Sequence, residues 1–305
     1  MRVLYRAEYL MLEKEFKQLI NQYLNKAYYY GDRFRLKFNS HSFTFKPGVR
    51  ANITYIIPPN PIPHAFVSVV KKYLHRKRVN EVYLKSKDRI IVFELGKDFK
   101  LILEMFGKGN IIVLENDIII YALHYSNKIK LNQKYDFSNL KDFSTIFEQS
   151  KEKTIGYYFG VVLGKPYSDY LLDQLKIDKN LLLKNFSYNT IETIFKYYFD
   201  NAKPYYNESD FLFLPFDDAK IGKTFSYVVD LFYDTHLENE ELIRLNKSKE
   251  QLIKQIQEYE EEVKKYKSIG NYILNNYNLI EEMINKAKRK EIPVNEKDKS
   301  FEIEV

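Results

Sequence analysis

The stretch that decides the fold of this chain is a series of four apolar segments: RIIVFEL (89–95), FKLILEMF (99–106), NIIVL (110–114) and DIIIYAL (117–123). Each segment has the length of a strand and is rich in branched and aromatic residues. Turns of two or three residues, such as Gly107-Lys108-Gly109, separate them. Because connections this short join antiparallel neighbours, the sequence predicts a four-stranded antiparallel meander.

The residues before the meander predict helices and a hairpin. Residues 4–26 carry apolar side chains at three- and four-residue intervals, which predicts an amphipathic helix. FRLKF (34–38) and SFTFK (42–46) predict a hairpin, and the proline-rich residues 58–63 an extended loop. Helical spacing returns over 64–78. Together these elements predict an α+β domain over residues 1–138.

The rest of the chain predicts helices of two kinds. Short helical stretches broken by Gly and Pro predict a helical domain over 139–235. Residues 236–291 predict one long coiled-coil helix, followed by a tail over 292–305. Its heptad positions are Leu242, Leu245, Leu252, Ile256, Tyr259, Val263, Tyr266, Ile273, Tyr277, Ile280 and Ile284. A seam of this kind needs a partner helix, which we expect from a C-terminal half beyond this sequence or from a second chain.

Composition excludes several classes of chemistry. The 305 residues include no Cys, which removes thiol nucleophiles, disulfides and cysteine-based metal sites. The five His residues form no close pair, so we expect no metal and no cofactor. Gly160–Lys165 and Gly222–Thr224 resemble phosphate-binding loops but lack the required glycine spacing. The sequence therefore predicts a protein that is not an enzyme.

Hydropathy and charge predict where the chain works and what it binds. No apolar run approaches the roughly 18 residues of a membrane span, and the start of the chain is too charged for a signal peptide. We therefore expect a cytoplasmic protein without a membrane partner. The formal net charge is +7, with a pI near 9.0, which favours polyanionic partners.

The positive charge is concentrated between Lys71 and Arg89, where eight Lys or Arg residues face two acids. Lys72 and Arg76 fall on one side of the predicted second helix, opposite Val69, Val70 and Tyr73. Cations arranged in this way contact phosphates, although a solvated helix face is the alternative interpretation. The predicted RNA-facing patch is Arg50, Lys71, Lys72, Arg76, Lys77, Arg78, Lys85 and Lys87.

Two long segments carry a resemblance to a known family. IPPNPIPHAFVSVVKKYLHRKRVNEVYLKSKDRIIVFEL (57–95) and FKLILEMFGKGNIIVLEND (99–117) resemble the N-terminal module of the NFACT family, which includes the fibronectin-binding-protein-A-like, NEMF-like and bacterial RqcH proteins. VVLGKPYSDYLLDQLKID (161–178) resembles the helix-hairpin-helix middle domain of that family, with Lys165-Pro166 replacing its second glycine and that glycine's neighbour. KYKSIGNYILNNYNLIEEMINKAK (265–288) resembles its long coiled coil. The resemblance implies an N-terminal fragment of such a protein.

The resemblance implies a function in ribosome quality control. Family members bind large ribosomal subunits that hold an obstructed peptidyl-tRNA and recruit tRNA, typically alanyl-tRNA, for C-terminal tailing without mRNA. The ribosome forms the peptide bond, so the family protein is an adaptor. The family's tRNA-binding Asp-Arg pair matches Asp88 and Arg89, and its acid in the first helix matches Glu8. Asp88 would accept from a base amine or orient Arg89. A surface salt bridge at the strand end is the alternative.

Two other functions remain as alternatives. The module's fold is also similar to that of the formamidopyrimidine-type DNA glycosylases, which suggests a DNA-processing enzyme, but the Pro-Glu start of those enzymes is replaced by Met1-Arg2-Val3. The fibronectin-binding label of some members suggests a surface adhesin, which the missing signal peptide disfavours.

Overall fold

The structure, a computed structural model, describes residues 2–138, 140–295 and 300; of residues 235–246 only the helical backbone is described. Contacts divide the chain into two units, Met1–Thr235 and His236–Val305. None of the helices in the described part is long and apolar enough to cross a membrane. The predicted boundary at residue 138 stays a prediction, because residues on both sides of it, such as Phe93 and Phe195, belong to one hydrophobic core.

The first helix, α1, is shorter than predicted. It spans Arg6–Phe16 and is followed by a 3-10 turn, Lys17–Leu19. The chain then reverses at Asn21, whose φ of 68° is left-handed and whose N–H donates to the Val79 carbonyl at 2.8 Å. Pairing with a strand therefore replaces the helix predicted to reach residue 26.

The first unit contains a six-stranded antiparallel sheet. Its strands, given in their order across the sheet, are β1 (Tyr23–Leu24), β6 (Lys77–Leu84), β7 (Ile90–Leu95), β8 (Phe99–Glu104), β9 (Asn110–Glu115) and β10 (Ile118–Ala122). The predicted meander is confirmed as β7 to β10. These strands are buried on both faces: Ile91 and Phe93 point into the main core, whereas Ile90 and Val92 belong to a second cluster with Tyr135.

The second helix ends earlier than the sequence predicted. Helix α2 (Ala65–Val69) passes into a π-helical turn, Val70–Leu74, and stops there. Arg76 follows in the left-handed conformation, with φ of 57°, and its N–H donates to the Leu24 carbonyl at 2.7 Å. Residues 77–84 then form β6, a strand that the sequence did not predict.

A four-stranded antiparallel sheet packs against the first. It contains β2 (Lys26–Tyr29), β3 (Phe34–Lys37), β4 (Ser42–Lys46) and β5 (Arg50–Thr54), in that order. The predicted hairpin is confirmed as β3 and β4, with Phe34 opposite Phe45. The Phe43 ring lies 5.2 Å from both Phe16 of α1 and Phe93 of β7, so aromatic edges join the helix and the two sheets.

Helices dominate residues 143–288. They are α3 (Phe143–Gln149), α4 (Ile155–Leu163), α5 (Lys165–Gln174), α6 (Tyr188–Asn201), α7 (Phe225–Asn275) and α8 (Tyr277–Lys288). This part of the chain also contains a small sheet that the sequence pattern did not predict. Its strands are β11 (Tyr205–Tyr206), β12 (Phe211–Leu212) and β13 (Lys220–Ile221).

The predicted long helix differs at both ends of its span. Helix α7 begins earlier, at Phe225, because Val228, Val229 and Tyr233 are buried in the core of the first unit. It stops at Asn275, and the Asn276 side chain donates to the Tyr272 carbonyl at 3.0 Å before α8 begins. Most of the described seam residues, including Tyr259 and Tyr266, are exposed, and Ile280 is half-buried. The side chains of Leu242 and Leu245 and much of the predicted tail lie outside the described residues.

Candidate nucleic-acid interface

The predicted Asp88–Arg89 pair lies between β6 and β7. The preceding turn, Lys85–Lys87, places two residues in the left-handed conformation, Ser86 at φ 53° and Lys87 at φ 51°. The Asp88 N–H donates to the Lys85 carbonyl at 3.0 Å. Non-glycine residues adopt this conformation at an energetic cost, so contacts elsewhere must hold the turn.

Arg6, at the start of α1, supplies that contact. Its Nε donates to Oδ1 of Asp88 at 3.1 Å, and its Nη2 lies 2.6 Å from Oδ2. The two side chains are only 12% and 18% exposed, so this two-point ion pair is largely shielded from water. Sequence reasoning missed Arg6, because 82 residues separate the partners and no local pattern joins them.

Arg89 is held by its backbone and has an uncommitted side chain. Its N–H donates to Oδ1 of Asp88 at 2.7 Å, and its carbonyl accepts from the Met105 N–H at 2.8 Å. The half-buried guanidinium makes no ion pair or hydrogen bond with the described residues, and its Nε is buried without an acceptor. Arg89 therefore offers a half-buried cation on a backbone held by Asp88 and Met105.

The structure corrects the assignment of Glu8. Its side chain is fully buried and accepts from the Tyr5 N–H at 2.7 Å, the Tyr167 hydroxyl at 2.8 Å and the Arg2 guanidinium. Burial raises the pKa of this carboxyl, against the opposing effect of Arg2. Glu8 therefore joins parts of the fold and does not face a ligand.

Arg50 is also removed from the predicted patch. It is 2% exposed, and its guanidinium lies 3.4 Å from Asp230 and 3.6 Å from Asp234, both on α7. Burial lowers its pKa, and the two carboxylates oppose that effect. This arginine pairs β5 with α7 and presents no charge to solvent.

The remaining patch divides into two groups. Lys71, Lys72, Arg76, Lys77 and Arg78 lie before or at the start of β6, whereas Lys85 and Lys87 follow its end. An eight-residue strand spans about 25 Å, so the two groups of cations lie too far apart to contact the same phosphate.

The group at the start of β6 gains two lysines that the sequence did not single out. Lys26 and Lys37 pair across β2 and β3 and are exposed. Asn25 connects them to the group, because its carbonyl contacts His75 Nδ1 at 2.7 Å and its N–H donates to the Lys37 carbonyl at 2.8 Å. Among the described residues these cations have no carboxylate partner. We call them the sheet-end cations: Lys26, Lys37, Lys71, Lys72, Arg76, Lys77 and Arg78.

A groove of about 500 Å³ lies beside the other group, between α1 and α6. Its walls are aromatic, with Phe143, Phe195 and Tyr188 among them. Two ion pairs cross its rim: Lys14 to Asp200 at 3.1 Å and Lys87 to Glu192 at 3.3 Å. Within the described residues, no group of three His, Asp or Glu side chains could hold a metal ion.

Solved structures with the same fold come from fibronectin-binding and fibrinogen-binding proteins. The N-terminal part of the fibronectin/fibrinogen-binding protein of Streptococcus suis has a TM-score of 0.61 at 20% identity, covering 76% of this chain and 99% of that one. The fibrinogen-binding protein of Staphylococcus aureus gives 0.57 at 16% identity, covering 75% and 98%. Identities this low show a shared fold only.

Sequence comparison identifies longer relatives. The chain is 26% identical over 281 residues to the archaeal Rqc2 homologue aRqcH of Methanocaldococcus jannaschii, covering 73% of this chain and 41% of that protein. It is 31% identical over 156 residues to the ribosome quality control complex subunit 2 of Saccharomyces cerevisiae, covering 47% and 15%. The chain thus spans less than half the length of these relatives. Because residues 46–304 match the NFACT N-terminal and middle domains, the chain belongs to the NFACT family.

Proposed function

We propose that this chain is the tRNA-binding part of a ribosome quality control adaptor. It binds the large ribosomal subunit with its obstructed peptidyl-tRNA and recruits tRNA, typically alanyl-tRNA, for tailing of the nascent chain without mRNA. The names of the archaeal and yeast relatives support a role in ribosome quality control. The adaptor works in the cytoplasm and catalyses no reaction itself, because the ribosome forms the peptide bond.

The observation that carries this proposal is the state of Arg89. A half-buried guanidinium without an ion-pair partner among the described residues, on a backbone held by Asp88 and Met105, suits a phosphate or a base edge. The cations Lys85 and Lys87 precede it within the same turn. The surface salt-bridge alternative gains no support at Arg89, because this side chain has no carboxylate partner among the described residues.

The sheet-end cations provide a second contact with RNA in this proposal. Exposed Lys and Arg side chains without acidic partners release condensed counterions when they meet phosphates. Their separation from Arg89 by the length of β6 means that the two groups contact different parts of one folded RNA. Such contacts strengthen binding without reading sequence.

The proposal is tested by tRNA binding to the purified chain over a salt series. We expect Arg89→Ala to weaken binding about tenfold or more and to lower the log–log salt slope by about 0.7–0.9, the value for one phosphate contact. Lys130→Ala, which removes an exposed cation from another loop, is the matched control and should change neither quantity. Duplex DNA of similar length is the competitor that tests the DNA-processing alternative.

The outcome is decisive in either direction. If Arg89→Ala bound tRNA with wild-type affinity and salt slope, Arg89 would not be part of the interface. Preference for duplex DNA over tRNA would reject the adaptor proposal. For the sheet-end cations, the triple variant Lys71→Ala/Lys72→Ala/Arg76→Ala should lower the slope by about 2, and an unchanged slope would make them a solvated surface.

A further inference from the structure

We infer that Arg6 is a positioning residue of the RNA interface, and that Asp88 orients Arg89 without touching RNA itself. The inference rests on the proposed function, because it assigns separate tasks to three residues of the same interface. It decides between the two possible tasks of Asp88, accepting a base amine or holding Arg89.

The carboxylate of Asp88 is already occupied. Oδ1 accepts from Arg6 Nε at 3.1 Å and from the Arg89 N–H at 2.7 Å, and Oδ2 receives Arg6 Nη2 at 2.6 Å. A carboxylate has about four acceptor positions, so three of them are filled within the protein. A base amine would have to compete with a two-point, charge-assisted ion pair.

Arg6 is well placed to act as a clamp. It is the first residue of α1, and the next residues of that helix, Ala7, Glu8 and Tyr9, are fully buried, which fixes the helix against the core. The Arg6 guanidinium also lies 5.7 Å from the centre of the buried Phe143 ring. An anchored helix thus carries the donor that holds Asp88 and the strained turn at Ser86 and Lys87.

The charges have a consequence that can be measured. Arg6 and Asp88 neutralise each other, so Arg89 carries the unpaired charge of these three residues. If Asp88 acted only through its negative charge, its removal would strengthen binding to a polyanion. If Asp88 positions Arg89, its removal weakens binding although the repulsive charge is lost.

The test is a double-mutant cycle of tRNA affinity with Arg6→Ala, Asp88→Ala and the double variant, together with the salt slope of each. We expect each single variant to bind about tenfold more weakly, and the double variant to bind no more weakly than either, because both break the same clamp. The double variant should keep the wild-type salt slope, unlike Arg89→Ala. It also leaves no unpaired charge, so it stays testable if a single variant unfolds.

Three results would overturn the inference: Asp88→Ala binding as tightly as wild type or more tightly, losses in the two single variants that multiply to about a hundredfold in the double variant, or a salt slope lowered in the double variant. These outcomes differ from failure of the proposed function, in which the wild-type chain itself would not bind tRNA.

Discussion

The hydroxyl of Tyr167 donates a hydrogen bond of 2.8 Å to Oε1 of Glu8 and thereby joins α5 to α1. The same hydroxyl accepts from the Phe213 N–H at 3.0 Å. Burial raises the pKa of Tyr167 well above its ordinary value, as does the neighbouring Glu8 charge, so the hydroxyl keeps the proton that it donates. One buried acid and one buried tyrosine thus connect helices that lie far apart in the sequence.

Removal of this hydroxyl should destabilise the first unit. Tyr167→Phe leaves the Phe213 N–H without an acceptor and Glu8 with one donor fewer, both in a buried setting. We expect the free energy of unfolding to fall by about 2–3 kcal/mol, measured by urea denaturation. Tyr197→Phe is the control, because Tyr197 is 64% exposed, and it should change stability by less than about 0.5 kcal/mol. Equal effects in the two variants would contradict a structural task for Tyr167.

The glycines of the β8–β9 turn should differ sharply in their tolerance of a side chain. Gly107 and Gly109 both have left-handed φ values, 58° and 68°. A Cβ on Gly109 would lie 2.1 Å from the Gly48 nitrogen, whereas a Cβ on Gly107 would meet nothing within 4 Å. The turn after β8 and the turn after β4 therefore approach each other through their backbones, and a side chain on Gly109 would point into this contact, whereas one on Gly107 would not.

We expect Gly107→Ala to cost about 1 kcal/mol of stability through backbone strain alone. Gly109→Ala should cost more than about 3 kcal/mol, since the clash is with backbone that cannot move aside without separating the two turns. Urea unfolding of both variants measures the difference. Similar losses would show that the contact between the turns relaxes easily.

Asp230 should make stability depend on pH. Burial raises its pKa to about 6, although Arg50, Thr54 and Asn52 favour the charged form. As the pH rises, Asp230 keeps its proton in the folded chain up to about pH 6. In the unfolded chain it loses the proton near its ordinary pKa of 3.8. The stability linked to Asp230 is therefore fully present below about pH 4 and is lost as the pH rises through about 6. The difference between the two pKa values corresponds to about 3 kcal/mol of stability.

The measurement is the difference in unfolding free energy between wild type and Asp230→Asn from pH 3.5 to 7.5. Asn keeps the shape but does not titrate, so the wild type should lose stability relative to the variant across this range. Asp142→Asn is a control of opposite sign. Hydrogen bonds from Thr145 lower the pKa of Asp142 at the start of α3, so its contribution is present above the ordinary pKa of 3.8 and is lost as the pH falls. A flat difference for Asp230 would contradict the prediction.

Local sequence pattern was sufficient to predict those elements whose structure depends mainly on neighbouring residues. Continuous apolar segments separated by short turns were sufficient for β7 to β10, and alternation of apolar with polar residues gave the β3–β4 hairpin. It could not predict the end of the second helix, because the left-handed conformation of Arg76 is stabilised by a bond to Leu24 from a distant strand. Local pattern also gave no reason to separate the cations at the two ends of β6.

The interface was predicted in part, for a similar reason. Asp88 and Arg89 were identified by resemblance, but Arg6 belongs to another element and its role is visible only in three dimensions. Glu8 was assigned to the interface by resemblance and Arg50 as part of the basic patch, although charged side chains are rarely buried. Both are buried here because each has partners of opposite charge, Arg2 for Glu8 and Asp230 for Arg50.

The seam of α7 and α8 should make the chain associate in solution. Tyr259 and Tyr266 are each 66% exposed, and Val263 between them is 50% exposed, so a contiguous apolar stripe faces water. We expect concentration-dependent self-association in sedimentation velocity experiments, because a second copy can cover this stripe. Val263→Glu/Tyr266→Glu should abolish association through burial of charge. Lys264→Glu changes the net charge by the same two units at an exposed position outside the stripe, and it should leave association intact. A wild-type chain that stays monomeric at high concentration would show that the stripe needs a partner helix from another source.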